Sequence, residues 1–223
     1  MRRGRRWLVA GLAAAIGGYL ALQQQRRAEM WRVRNHAVRV LVIGAGPLGS
    51  TYAALLAHWG MQVSLVAHGA RLAQLRGSGL CVQSALTRRV NRLLVDVLAD
   101  VPQEHDFDLV LVTTDDEELP EAADSVRGLE PNTPVVVLHK APVAGQSIQG
   151  YSVDGQALVG LATQGGTLCD GLLRVQPMQQ VPTHLGEVSG ADTQRLHQAA
   201  AILRRAGIWI EVERHIASCL TGS

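Results

Sequence analysis

Lysine is nearly missing from this chain of 223 residues: its basic side chains are 20 arginines and one lysine, Lys140. Chemistry that needs two lysine ammonium groups in one site is excluded from the outset. The three cysteines, Cys81, Cys169 and Cys219, are isolated, odd in number and form no C-x-x-C pair. A disulfide framework is therefore not expected, and the spacing suits reduced thiols in an intracellular or matrix-type compartment. Eight histidines show no H-E-x-x-H or comparable spacing, so no metal site is expected. G-x-S-x-G is absent as well, which removes the hydrolase nucleophile elbow. Aromatic residues make up only 4% of the chain. Beyond residue 39 no basic patch is interleaved with them, and nucleic acid is not an expected partner.

What is present is apolar: 47% of the residues are hydrophobic and the formal net charge is +2. That balance excludes a disordered chain, and the length suits one sizeable domain with a small appendage. Charge divides the same way. Residues 1–39 carry nine arginines against one acid, Glu29, for a net +8, whereas residues 40–223 carry a net −6.

Within the basic segment, Trp7 to Leu22 reads WLVAGLAAAIGGYLAL, sixteen residues without a charge. As a helix it would reach about 24 Å, short of a hydrocarbon core of about 30 Å. Adding Gln23 to Gln25 and letting the flanking arginines snorkel makes a span over about residues 7–25 feasible. Trp7 and Tyr19 sit near its ends as interfacial aromatics do, and Gly11, Gly17 and Gly18 offer a small-residue face for a neighbouring helix. The expectation is an uncleaved single-pass anchor over residues 1–38, with a removed targeting segment and a soluble helix left open as alternatives. Both flanks are basic, so the span has no preferred orientation. The absence of acids before Glu29 favours a mitochondrial address.

From residue 39 onward the pattern changes. RVLVIGAGPLG, Arg39 to Gly49, is a β-branched apolar strand running into G-x-G-x-x-G at Gly44, Gly46 and Gly49, and a helix follows as STYAALLAHWG. This is the order in which a dinucleotide is bound: one glycine for the tight turn, one for close approach of the pyrophosphate, one for helix–strand packing. The predicted binding residues are Gly44, Ala45, Gly46, Pro47, Leu48 and Gly49, together with Thr113 at the end of a later strand. After the second strand, Met61 to Ala67, the position that reads the adenine ribose is His68, with Arg71 close behind. No acid is available for a 2′-hydroxyl and Arg71 offers a cation to a 2′-phosphate, so NADP(H) is expected ahead of NAD(H). Both residues also fit an ordinary helix start.

Further elements are expected as a short helix over Leu72–Arg76, strands at Leu93–Leu98, Asp108–Thr114 and Pro134–His139, and a helix over Glu117–Arg127. Weaker strands follow at Ala157–Thr163, Gly171–Val175 and Thr183–Gly186, then a helix over Ala191–Ala206 and a last strand at Ile208–Val212. Such alternation predicts an α/β fold with a Rossmann-like, doubly wound, mostly parallel sheet over residues 39–223.

With these motifs in order, the chain resembles the ketopantoate reductase family, the NADPH-dependent 2-dehydropantoate 2-reductases, over about Arg39 to Ser223. The carrying blocks are VLVIGAGPLGSTYAALLAHWGMQVSLVAHGARLAQLRGSGL, DFDLVLVTT, NTPVVVLH, ALVGLATQGG with DGLLRV, and AAAILRRAGIWIEVERHI. The resemblance implies an arginine for the 2′-phosphate where His68 stands and a lysine where Asp115 stands. It also implies an asparagine where Lys140 stands, and a second catalytic lysine on a C-terminal helical domain that would start where this sequence ends. Asp115, Asp116, Glu117 and Glu118 would repel an anionic substrate by on the order of 1–4 kcal/mol per close pair. Lys140 reads as a solvated strand-end lysine, with a relocated general acid as the alternative.

No catalytic residue is therefore expected. The reading is a non-catalytic, membrane-anchored accessory or structural subunit of a membrane protein complex that keeps the form of an NADP(H) site. A mitochondrial inner-membrane respiratory or ATP synthase complex is the natural host. Two alternatives stand beside it: an active NADPH-dependent 2-keto acid reductase completed by a partner chain, and a nucleotide-sensing regulator.

Overall fold

The computed structural model describes residues 37–84, 88–102, 106–115, 117–127, 133–140, 157–175 and 181–216. The expected span over residues 7–25 lies outside them, as do Asp116 and Cys219. Among the described residues no helix is long and apolar enough to cross a membrane.

The opening apolar run forms β1 (Arg39–Ile43), in which Val40 to Ile43 are all buried. A strand covered on both faces belongs at the centre of a parallel sheet. Accordingly, β2 (Gln62–Val66) and β6 (Leu109–Val112) pair with it in parallel on either side. Beyond β2 lies β5 (Asp96–Leu98), and beyond β6 lie β7 (Val135–His139) and β8 (Leu158–Leu161), all parallel. The sheet ends differently. β11 (Thr183–Glu187) joins β8 antiparallel, and β12 (Ile210–Val212) pairs with β11 in parallel, which completes eight strands. The expected doubly wound sheet is present, with two reversed strands at one edge.

A second sheet of four strands was not visible in the sequence pattern. Its order is β4 (Val90–Leu93), β3 (Leu80–Ser84), β10 (Leu172–Val175) and β9 (Gly166–Cys169). The single strand expected over Leu93–Leu98 is in fact two. Leu93 pairs with Leu80 in the small sheet and Asp96 with Ser64 in the large one, while Leu94 between them is 92% exposed. An apolar run that changes sheets has the same composition as one that does not. β9 and β10 are joined by Asp170 and Gly171, both with positive φ. This is the two-residue turn that Asp-Gly favours.

The helices among the described residues are α1 (Pro47–His58), α2 (Gly69–Ser78), α3 (Leu119–Ser125) and α4 (Gln194–Arg205). α2 starts three residues earlier than its apolar pattern suggests and stops at Gly79, whose φ is +73°. α3 is shorter than expected, with Glu118 at its N-cap. α4 is capped by Thr193, whose hydroxyl accepts from the Leu196 amide at 3.3 Å. Its buried stripe, Leu196, Ala199, Ala200 and Leu203, has the helical spacing that covers the sheet. At the foot of that helix Glu187 is 2% exposed. It accepts from Arg195 Nε at 2.8 Å and Nη2 at 2.6 Å and from the Thr193 hydroxyl.

Tyr52 links α1 to the reversed edge. It is fully buried, and its hydroxyl lies 3.1 Å from Thr183 Oγ1. Burial pushes the phenol up from 10.0 to about 12, a shift that the Thr183 hydrogen bond opposes. Because the folded value is the higher one, this contribution to stability is complete below pH 10.0 and is lost as pH rises to about 12. Tyr52→Phe is expected to cost about 0.5–1.5 kcal/mol at neutral pH and to flatten the alkaline limb of the stability curve. Urea denaturation across pH 8 to pH 11 checks both; an unchanged alkaline limb would reject the assignment.

Candidate functional site

Between β1 and β6 the winding reverses, since β2 and β5 lie to one side and β7 and β8 to the other. Such a switch point leaves a crevice at the carboxyl ends of the strands. A cleft of about 470 Å³ opens there. Its floor is the glycine loop, Gly44 to Leu48, and its walls are Thr113, Thr114, Asp115 and Glu118 after β6 and Leu138, His139 and Lys140 at the end of β7.

The loop is held by local chemistry. Gly44 has φ +99°, a backbone setting that side chains rarely adopt. The Thr113 hydroxyl lies 2.9 Å from the Ile43 carbonyl oxygen and 3.0 Å from that of Gly44. Behind the loop, a Cβ on Gly49 would overlap the Gly44 carbonyl oxygen and Thr113 Oγ1. The Ser50 hydroxyl donates to the Ala45 carbonyl at 2.9 Å and that of Thr51 to the Pro47 carbonyl at 2.7 Å.

Gly46 is different. It is the N-cap of α1, makes no side-chain cap, and among the described residues has nothing within 4 Å of where a Cβ would stand. The first-turn amides of a helix lack intrahelical partners and carry the positive end of its dipole. With Pro47 at the first position of α1, the arrangement suits an anionic diphosphate.

Of the residues predicted to bind, Gly44, Ala45, Gly46, Pro47, Leu48 and Thr113 line the cleft, and Gly49 is buried behind it. His68 and Arg71 do not line it. His68 is the exposed N-cap of α2 and makes no cap hydrogen bond. Arg71 turns inward, donating from Nε to the Ala45 carbonyl at 3.1 Å and from Nη2 to Ser50 Oγ at 3.0 Å. Its Nη1 donates to Gln74 Oε1 at 2.7 Å and to the Gly171 carbonyl at 3.4 Å. Burial pulls this guanidinium below its ordinary pKa.

The sequence pattern missed Thr114, Leu138 and His139 as cleft residues, while Glu118, part of the acidic run expected to repel a substrate, lines the cleft. The only signal for the missed three is position: Thr114 follows β6, and Leu138 and His139 end β7, at the carboxyl ends of parallel strands. The Thr114 hydroxyl is buried and has no hydrogen-bond partner among the described residues. Asp115 and Lys140, the two positions where the family resemblance implies lysine and asparagine, both line the cleft. The Lys140 stem lies beside the loop after β8, its Cε 3.8 Å from where a Cβ on Gly165 would stand.

One further grouping was not visible from spacing. On the reversed edge, His184, Glu211 and Glu213 bring their side-chain ligand atoms within 4.8 Å of one another. Strand register places Glu211 opposite His184. His184 Nδ1 is already hydrogen-bonded to Glu213 Oε1 at 3.0 Å, on a half-exposed surface.

The comparisons with known proteins agree with this architecture. A family model described as ketopantoate reductase PanE/ApbA matches residues 40–190. Among solved structures, a ketopantoate reductase described as putative in Ralstonia solanacearum is 25% identical with a TM-score of 0.67, covering 83% of this chain and 63% of that one. The 2-dehydropantoate 2-reductase of Geobacter metallireducens is 22% identical with a TM-score of 0.68, covering 82% of this chain and 60% of that one. A D-mandelate dehydrogenase solved with NADH and anilino(oxo)acetate is 18% identical with a TM-score of 0.64, covering 82% and 59%. The chain thus spans about three-fifths of the length of such relatives. No curated protein sequence matches it significantly. With the family model covering more than half of its residues, the chain belongs to the ketopantoate reductase PanE/ApbA family.

Proposed function

We propose that residues 39–223 form a dinucleotide-binding module of the ketopantoate reductase type that holds a nicotinamide dinucleotide, NADP(H) included, without performing the family's reduction. The observation that carries the binding half is Gly46: an uncapped helix start with open space above it, in a cleft at the switch point. A Ser or Asp at that N-cap would serve the helix better, so glycine there suits a ligand more than the fold. The cofactor, when bound, supplies hydride. The chain's own residues would hold its diphosphate at Gly46 and the start of α1.

The catalytic half rests on the cleft walls. Reducing a 2-keto acid needs cations for the carboxylate and a proton donor for the developing alkoxide. Asp115 and Glu118 place carboxylates in the wall, and Lys140 is the single cationic residue among the described residues lining it. We read the protein as an accessory or structural subunit of a membrane complex, anchored by residues 7–25. The Gly/Ala-rich segment supports that reading, as does its arginine-flanked composition. A mitochondrial inner-membrane respiratory or ATP synthase complex is the proposed host. Lys140 favours a second reading, an NADPH-dependent reductase completed by a partner chain.

Purified full-length protein in detergent is expected to quench or shift NADPH fluorescence on binding and to show no turnover of ketopantoate. Turnover would establish the second reading, and a monomer that needs no detergent would reject the anchored subunit. Gly46→Ala is expected to leave stability within about 1 kcal/mol of wild type. It should weaken dinucleotide binding at least about tenfold, or about 1.4 kcal/mol, because the new methyl fills the diphosphate's place. Equal binding by the variant would move the ligand elsewhere.

A further inference from the structure

Arg71 is the residue whose sequence position suggests recognition of a 2′-phosphate, yet its guanidinium is already spent on protein acceptors. Four of its five N–H groups are directed at the Ala45 carbonyl, Ser50 Oγ, Gln74 Oε1 and the Gly171 carbonyl. Two of these lie in or just after the glycine loop, one in α2 and one in the turn between β9 and β10. The side chain therefore ties three separate segments of chain together. Helix geometry accounts for its direction, because side chains in a first helical turn point back toward the N-terminus. There the Arg71 guanidinium meets the Ala45 carbonyl and Ser50 Oγ.

Just after β2 stands His68, exposed and without a hydrogen bond to the helix it caps. It supplies neither the carboxylate that selects a free 2′-hydroxyl nor the guanidinium that selects a phosphate. The first-turn amides of α2 attract any anion weakly, at a fully exposed helix end. Lys140, the single cationic residue among the described residues that line the cleft, belongs to the β7 side of it and not to the β2 side.

We propose that Arg71 is a positioning residue that clasps the glycine loop, and that the site consequently takes NAD(H) and NADP(H) with nearly equal affinity. The inference rests on the dinucleotide-binding reading above and goes beyond it by assigning what the adenosine end does not read. A charge-assisted bond to the 2′-phosphate would separate the two cofactors by about 10- to 100-fold. Without one, the two affinities should agree within about threefold.

Fluorescence titration of the full-length protein with NADH and with NADPH tests this, on wild type, Arg71→Gln, Arg71→Lys and His68→Arg. Wild type is expected to bind both within the threefold window. Both Arg71 variants should weaken NADH and NADPH by the same factor, and His68→Arg should strengthen NADPH alone, by about tenfold or more. A wild-type preference for NADPH above tenfold that Arg71→Gln abolishes would overturn the proposal and leave the dinucleotide reading standing. Failure of wild type to bind either cofactor would overturn both together. Should Arg71→Gln not fold, the wild-type ratio and His68→Arg decide the matter without it.

Discussion

Arg195→Ala is expected to destabilise the domain by about 3–5 kcal/mol, the cost of leaving a buried carboxylate without its partner. Glu187 is 2% exposed, and its two oxygens accept from Arg195 at 2.8 and 2.6 Å. Removing the guanidinium leaves the Thr193 hydroxyl as the remaining side-chain donor of that set. For a domain whose total stability is about 5–15 kcal/mol, this is a large share. Replacing the pair together, Glu187→Leu with Arg195→Met, should recover most of the loss, since apolar packing at such sites is often neutral or better. Urea denaturation of the three proteins checks it. A loss below about 1 kcal/mol for Arg195→Ala would mean that water reaches Glu187 without cost. Glu187 and Arg195 do not line the cleft, so the folded fraction of either variant should bind dinucleotide as wild type does.

The second large effect is expected at Gly49. A methyl there overlaps a backbone carbonyl oxygen, that of Gly44, as well as Thr113 Oγ1. A flexible side chain could swing away, but a carbonyl in the middle of a tight turn cannot. Relief requires α1 to move off β1, and the cost is expected to be about 3 kcal/mol or more. Gly49→Ala should lower the unfolding midpoint sharply and abolish dinucleotide binding, measured by thermal denaturation and by NADPH fluorescence. Gly46→Ala, three residues earlier, should do only the second. An unperturbed midpoint for Gly49→Ala would show that the helix has room the structure does not display.

The part of the fold legible in the sequence was the part set by local chemistry. The β1–loop–α1 unit is read directly from RVLVIGAGPLG because each glycine answers a nearby steric demand. Strand direction at the far edge was not legible. β11 runs antiparallel to β8 after the chain has left the large sheet for β9 and β10, and no residue in THLGE encodes that direction. The Asp170–Gly171 turn carries a hairpin signal, and the strand expected from Gly171 in fact starts one residue later, at Leu172. Arg71 shows what a shifted helix boundary changes locally. The apolar pattern starts the helix at Leu72 and leaves Arg71 on the loop before it; α2 in fact starts at Gly69, and Arg71 in its first turn donates to the Ala45 carbonyl. Asp115 and Lys140 were placed at the site by the family resemblance alone, and both line the cleft.

The contrast between Gly46 and its neighbours bears on how the motif drifts over evolutionary time. The fold itself demands glycine at 44 and 49, because positive φ at the first and a blocked Cβ at the second penalise other residues there. Gly46 answers to no such internal demand. In descendants that abandon the ligand, position 46 is the one released to become serine, aspartate or asparagine, each a better start for α1. The first and last glycines of the motif therefore mark ancestry, and the middle one marks use.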